Sequence, residues 1–184
     1  MRTKLTLFLL AALVTAAAAP SRAAEPDPKF FIFLCLGQSN MEGFPGVEER
    51  DKAEVERFKV LAAVDFPKQD RKKGEWYPAV PPLSRPSAGL GPADHFGRTL
   101  LARLPRDVTV GVVNVSVAGC KIELFDKDNH EAYAKTAPNW MVGIIKGYGG
   151  NPYAHLVEMG KQAKKAGVIK GILLHQGESN TGDK

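Results

Sequence analysis

Three nearly unbroken apolar runs constrain this chain most. Residues 29–36 read KFFIFLCL, residues 108–115 read VTVGVVNV, and residues 168–174 read VIKGILL. A strand with one wet face alternates apolar and polar side chains. These runs do not, so they read as strands covered on both faces, as in a parallel sheet. Helical patterns lie between them. Gly91-Pro92 opens one, with Phe96, Leu100, Leu101 and Leu104 at helical spacing until Pro105 stops it. Asn151-Pro152 opens another, with Leu156, Val157, Gly160 and Ala163 along one face. Lys164 and Lys165 sit in its last turn and Gly167 closes it. Strands alternating with helices predict an α/β fold on a parallel sheet.

The other segments carry weaker patterns. Residues 48–58 read as a charged helix and residues 61–64 as a short strand. Residues 72–86 are rich in Pro and Gly and contain Trp76 and Tyr77, which predicts a long surface insertion, part of a binding rim. Residues 125–150, with Trp140 and Tyr148, read as irregular.

With 184 residues, the chain is expected to hold one domain. Its first stretch is read apart from that domain. Arg2 and Lys4 precede an apolar run over residues 5–19, and Ser21 and Ala23 stand where a signal peptidase reads. Residues 1–23 therefore read as a secretory signal peptide, too short for a membrane span, with the domain over 24–184. The expected location is secreted or periplasmic, with no membrane span after cleavage. Arg2, Lys4 and Arg22 contribute three charges to the formal +5, so the domain carries only +2. No basic block with interleaved aromatics stands out, which argues against a nucleic-acid partner. Export makes a Cys35–Cys120 disulfide chemically open. The plainer reading is two small buried apolar residues.

Each apolar run ends in a polar, Gly-containing stretch. Gly37-Gln38-Ser39-Asn40-Met41-Glu42 follows the first, Ser116-Val117-Ala118-Gly119-Cys120 the second, and His175-Gln176-Gly177-Glu178-Ser179-Asn180 the third. Ligands of parallel α/β sheets bind beyond the carboxyl ends of the strands, so three such stretches define a candidate site. Ser39 has two readings. Ser39-Asn40-Met41-Glu42 fits S-x-x-E, a capping box. A serine at a strand-to-helix junction also stands beside free backbone N–H groups able to stabilise an oxyanion. Gly119 likewise reads as a tight turn on its own, and Glu178 as a carboxylate that shapes its loop.

"GQSNMEG" and "HQGESN" resemble the first and third signature blocks of the sialate O-acetylesterase-like branch of the SGNH hydrolases, also grouped as carbohydrate esterase family six. "VAGCKIELF" resembles the second block. The resemblance runs from about residue 29 to the last residue. It implies a flavodoxin-like three-layer α/β/α sandwich with a parallel sheet, and a serine esterase with no metal or cofactor, acting on an acetylated carbohydrate. By matching positions, Ser39 is the nucleophile. The amides of Ser39 and Gly119 and the side chain of Gln176 form the oxyanion hole, with Asn180 as a further candidate. Gln38, Asn40 and Glu178 shape and orient the site.

One departure is serious. A serine hydroxyl needs a base near neutral pH. The family supplies a histidine with an aspartate three residues before it, and no D-x-x-H follows the third block here. His95 and His155 lie on helix patterns, His130 in an irregular stretch, and strand alternation points His175 away from Gln176. The third strand has no helix after it. The expectation is an N-terminal part of a longer, C-terminally truncated esterase domain, inactive alone. Two competing readings stand beside it. One is a non-catalytic carbohydrate-binding protein on the same scaffold, stacking sugars on Trp76, Tyr77, Trp140 or Tyr148. The other is an anion-binding module, which the absence of G-x-x-x-x-G-K argues against.

Overall fold

The computed structural model of the protein describes residues 25–182. The predicted signal peptide lies outside them. Strand β1 spans Phe30–Gly37 and the one-turn helix α1 spans Ser39–Glu42. Strands β2 (Phe58–Leu61) and β3 (Trp76–Pro78) follow, then helix α2 (Pro92–Leu101) and strand β4 (Thr109–Ser116). Helices α3 (His130–Thr136), α4 (Asn139–Gly147) and α5 (Pro152–Ala163) lead to strand β5 (Val168–His175).

The five strands form one sheet in the order β3-β2-β4-β1-β5. All neighbours are parallel except β2 and β3. Two of the three apolar runs, β4 and β1, are interior strands, as burial on both faces demands, while the third is β5. One face carries a core of Cys35, Phe58, Val60, Val110 and Val112 with Ala93 and Leu101 of α2. The opposite face carries Ile32, Val113 and Val115 with Met141 and Ile145 of α4 and Leu156, Met159 and Ala163 of α5. This is the expected three-layer α/β/α arrangement.

α5 starts as its sequence predicts: Asn151 accepts a hydrogen bond from the Ala154 amide at 2.9 Å, and Pro152 occupies the first turn. β5 lies at the sheet edge. Its Ile172 and Leu174 pair with Leu34 and Leu36 yet are 65% and 59% exposed.

Several expectations are corrected. Residues 48–58 do not form a helix. They hold a single 3-10 turn, Glu49–Lys52, boxed by the Glu48 and Asp51 carboxylates, and β2 starts at Phe58. The expected strand at 61–64 thus lies earlier. Trp76 and Tyr77 belong to β3 rather than to a surface insertion, because their backbone pairs with β2. The Trp76 ring packs on Phe30 with centroids 4.7 Å apart. Residues 125–150 are largely helical: Met141 and Ile145 of α4, and Tyr148 just past it, are buried at helical spacing. The cysteines are free, and they sit in cores on opposite faces of the sheet.

Candidate active site

β4, β1 and β5 are neighbours, so their carboxyl ends bring the three polar blocks together. Gly37 is the pivot, paired with Ser116 on one side and His175 on the other. A Cβ at Gly37 would run into the His175 carbonyl oxygen, so only glycine allows the two strand ends to close up there. Beyond the strands, the Val117 amide donates to Gly37 at 3.0 Å and the Gln38 amide to His175 at 3.2 Å.

Side chains then lace the blocks. Gln38 is buried, and its Oε1 accepts from the Ser179 amide at 3.1 Å and from Gln176 Nε2 at 3.4 Å. Gln176 Nε2 also donates to the Cys120 carbonyl at 2.9 Å. Ser179 Oγ donates to the Gly119 carbonyl at 3.0 Å. Asn40 Nδ2 donates to Glu178 Oε1, which also faces His175 Nε2 at 3.2 Å. Its own backbone amide first, then Asn40, holds the Glu178 carboxyl below its usual range.

Ser39 is not the cap of α1. Gln38 occupies that position, and no side chain caps the helix. The Glu42 carboxylate does not reach back to close a capping box. It turns inward to Arg85 Nε and to the Ala118 amide. Among the described residues the Ser39 hydroxyl makes no hydrogen bond, and the Ser39 and Gly119 amides donate none. Gly119 has φ +68°, and the Trp140 ring fills the space beside it: a Cβ there would lie 2.7 Å from Cη2. Arg85 ties the site to a loop distant in sequence, donating to Glu42 and to Ser87 Oγ.

Asn180 accepts from the Ile122 amide at 2.9 Å and donates to Glu123 at 3.0 Å. In this arrangement both Gln176 amide hydrogens have partners. Of the four aromatics considered for sugar stacking, Trp76 is packed in the sheet, Tyr148 is buried, and Tyr77 bonds Glu75 and the Lys72 amide. Trp140 alone among them is widely exposed, at 58%.

The histidines divide clearly. His155 Nε2 donates to the Ala63 carbonyl at 2.7 Å, and His130 Nδ1 lies 3.2 Å from the Lys127 carbonyl. His95 lies beside Asp94 on α2. His175 alone stands at the strand ends. Burial pushes the Cys35 and Cys120 thiols up to about 12, so neither is a thiolate near neutral pH. No cluster of His, Cys, Asp or Glu suited to a metal ion occurs among the described residues. None of their helices is long and apolar enough to cross a membrane.

Sequence reading missed Arg85 and the His175–Glu178–Asn40 chain. The three-residue spacing of His175 and Glu178 was the available signal for the second. Nothing local announces Arg85.

Solved structures share this architecture. A protein from Arabidopsis thaliana superposes with a TM-score of 0.59 at 24% identity, over 83% of this chain and 59% of that one. NanS superposes at 0.52 and 22%, over 84% of this chain and 55% of its own. A carbohydrate acetylesterase from Xanthomonas citri gives 0.51 and 20%, over 83% and 34%. The chain thus spans between about a third and three-fifths of the length of these proteins. Across residues 29–184 the sequence matches the family described as carbohydrate esterase, sialic acid-specific acetylesterase, and the chain belongs to that family.

Proposed function

We propose that this chain carries the nucleophile and oxyanion hole of an exported carbohydrate O-acetylesterase. The observation that carries the reading is the unpartnered Ser39 hydroxyl at the junction of three laced strand ends. Ser39 attacks the acetyl carbonyl of an acetylated sugar, and the sugar hydroxyl departs. Water then releases acetate from Ser39. The free amides of Ser39 and Gly119 receive the developing oxyanion. Gln176 joins them by exchanging its long contact to Gln38 for the substrate oxygen. Gln38, Asn40 and Glu178 hold the blocks in register, and Asn180 braces the third block on residues 122–123. The apolar leader sequence supports a secreted or periplasmic location.

The reading assigns the general base to a histidine outside the four in this sequence. His95, His130 and His155 are engaged elsewhere, and His175 is held on Glu178. The test is p-nitrophenyl acetate hydrolysis with added imidazole, which stands in for the missing base. Wild-type protein is expected to turn over slowly alone and to gain a Ser39-dependent rate with imidazole. Identical rates for wild type and Ser39→Ala at every imidazole concentration would sink Ser39 as nucleophile. They would leave the second reading, a non-catalytic carbohydrate-binding protein, which exposed Trp140 favours.

A further inference from the structure

The two amides that receive the oxyanion in the esterase reading come from different blocks. Ser39 opens α1, and Gly119 lies in the turn after β4. Both donors must converge on one oxygen, so the turn has to be fixed against the helix. The backbone does part of this. The Val117 amide donates to Gly37 at 3.0 Å, and the Cys120 amide closes the turn on the Val117 carbonyl at 3.3 Å. Gly119, at φ +68°, takes the third position of that turn, as glycine does in a type II turn. The closing bond is common to turns of types I and II, whose central peptides point opposite ways. Here the central peptide carries the Gly119 N–H, so the closing bond alone does not aim it.

Glu42 supplies a further tie. It ends α1, is buried, and its carboxylate meets the Ala118 amide. Glu42, Ala118 and Arg85 line one small cavity. The Ala118 amide has no backbone partner among the described residues. Glu42 is itself held on several sides. Arg85 Nε donates to its carboxylate, and Ser84 Oγ donates to its carbonyl at 2.8 Å. Asn114 Nδ2 donates to the Met41 carbonyl at 3.2 Å, and Ser116 Oγ sets Asn114 by donating to its Oδ1 at 2.6 Å. Asn114 and Ser116 are buried on β4, the strand that leads into the Gly119 turn. Helix and turn thus hang on the same strand. An apolar side chain would fill the position of Glu42 without desolvating a charge. The carboxylate adds two acceptor oxygens, enough for Arg85 and the Ala118 amide together.

We propose that Glu42 is a positioning residue of the oxyanion hole: its carboxylate holds the Ala118 amide and so aims the neighbouring Gly119 N–H at the carbonyl that Ser39 attacks. The inference rests on the esterase reading for the identity of the hole, and it adds to that hole a residue that never touches substrate.

Glu42→Gln tests it. The amide keeps the volume but has one acceptor oxygen, which Arg85 takes as the charged donor. The full chain and the variant are compared in imidazole-assisted hydrolysis of p-nitrophenyl acetate and of its thiono analogue, whose acyl oxygen is sulfur. Sulfur is a weak acceptor, so a hole built of amides favours the oxygen ester. Glu42→Gln is expected to lower the Ser39-dependent rate on the oxygen ester by about tenfold or more with KM little changed, and on the thiono ester by less than about threefold. A general disturbance of the site slows both esters alike, so equal losses overturn the proposal, as does an unchanged rate. Amide hydrogen exchange read by NMR tests the tie without catalysis. In the wild type the Ala118 amide is expected to exchange at least about tenfold more slowly than that of Gly119, and Glu42→Gln to abolish the difference. Equal exchange of the two amides in the wild type overturns the tie even if the variant fails to fold. A wild type with a protected Ala118 amide but no Ser39-dependent rate would instead sink the esterase reading, and the positioning role with it.

Discussion

The Glu42 carboxylate, 3% exposed, is held by the guanidinium of Arg85, which lies 43 positions further along the chain. This pair fastens the turn that bears Ser39 to residues 84–87, and Ser84 Oγ adds a bond to the Glu42 carbonyl at 2.8 Å. Burial, the larger influence, raises the Glu42 pKa, while Arg85 and the Ala118 amide oppose it. Arg85→Ala removes the counter-charge and leaves the carboxylate buried. The expected cost is about 3–5 kcal/mol near neutral pH, read from urea unfolding. Losing Arg85 raises the carboxyl's pKa further, so the folded state takes up the proton more readily than the unfolded chain. The penalty therefore shrinks as pH falls toward the ordinary carboxylate range. A cost below about 1 kcal/mol at neutral pH would show that the pair does not carry the turn.

Ser39→Ala separates the cap from the nucleophile. A capping serine costs about 1 kcal/mol when removed. Because the Ser39 hydroxyl bonds nothing among the described residues, the expected change is within about 0.5 kcal/mol. Thermal unfolding with matched circular dichroism measures it. A loss of a kilocalorie or more would restore the capping role.

The elements legible in the sequence were those whose signal is local. KFFIFLCL and VTVGVVNV announce doubly covered strands without help from the rest of the chain, and Asn151-Pro152 announces a helix start. Trp76-Tyr77-Pro78 did not read as a strand, because three residues ending in proline qualify only when a neighbour such as β2 offers its edge. α4 was hidden because Gly143 and Gly147 dilute its pattern, and its apolar face is recognised only against the core it completes. The same divide runs through the site. The three blocks were visible because each follows a strand. The Glu42–Arg85 pair was not, since no spacing rule links positions so far apart.

His155 gives the fold an acid sensitivity. It is buried on α5, Nε2 donates to the Ala63 carbonyl, and burial holds its pKa below the ordinary 6.5. The unfolded chain therefore takes up this proton more readily than the folded one. Above the ordinary histidine range both forms are neutral and nothing is lost. As pH falls through that range, the unfolded state gains protons first and stability drops. His155→Gln keeps a donor for Ala63 without the charge. Urea midpoints between about pH 7.5 and about pH 5 are expected to fall less for this variant than for wild type. Parallel curves would remove His155 as the sensor.

Gly119 couples the backbone of the site to the Trp140 ring. Its φ of +68° disfavours a side chain, and an added methyl meets Trp140 Cη2 at 2.7 Å. Gly119→Ala therefore carries two separable penalties. Backbone strain costs about 1 kcal/mol or more wherever Trp140 sits. The collision adds to it only while the indole keeps its place, and its relief moves a ring that lines a cavity of about 490 Å³ beside Arg85 and Tyr148. A double-mutant cycle isolates the second part. Gly119→Ala is expected to cost about 1 kcal/mol less in a Trp140→Ala background than in wild type, since the ring that resists the methyl is gone. Additive costs would mean that the indole swings away freely, and Trp140 would then be too loosely held to serve as a fixed sugar platform.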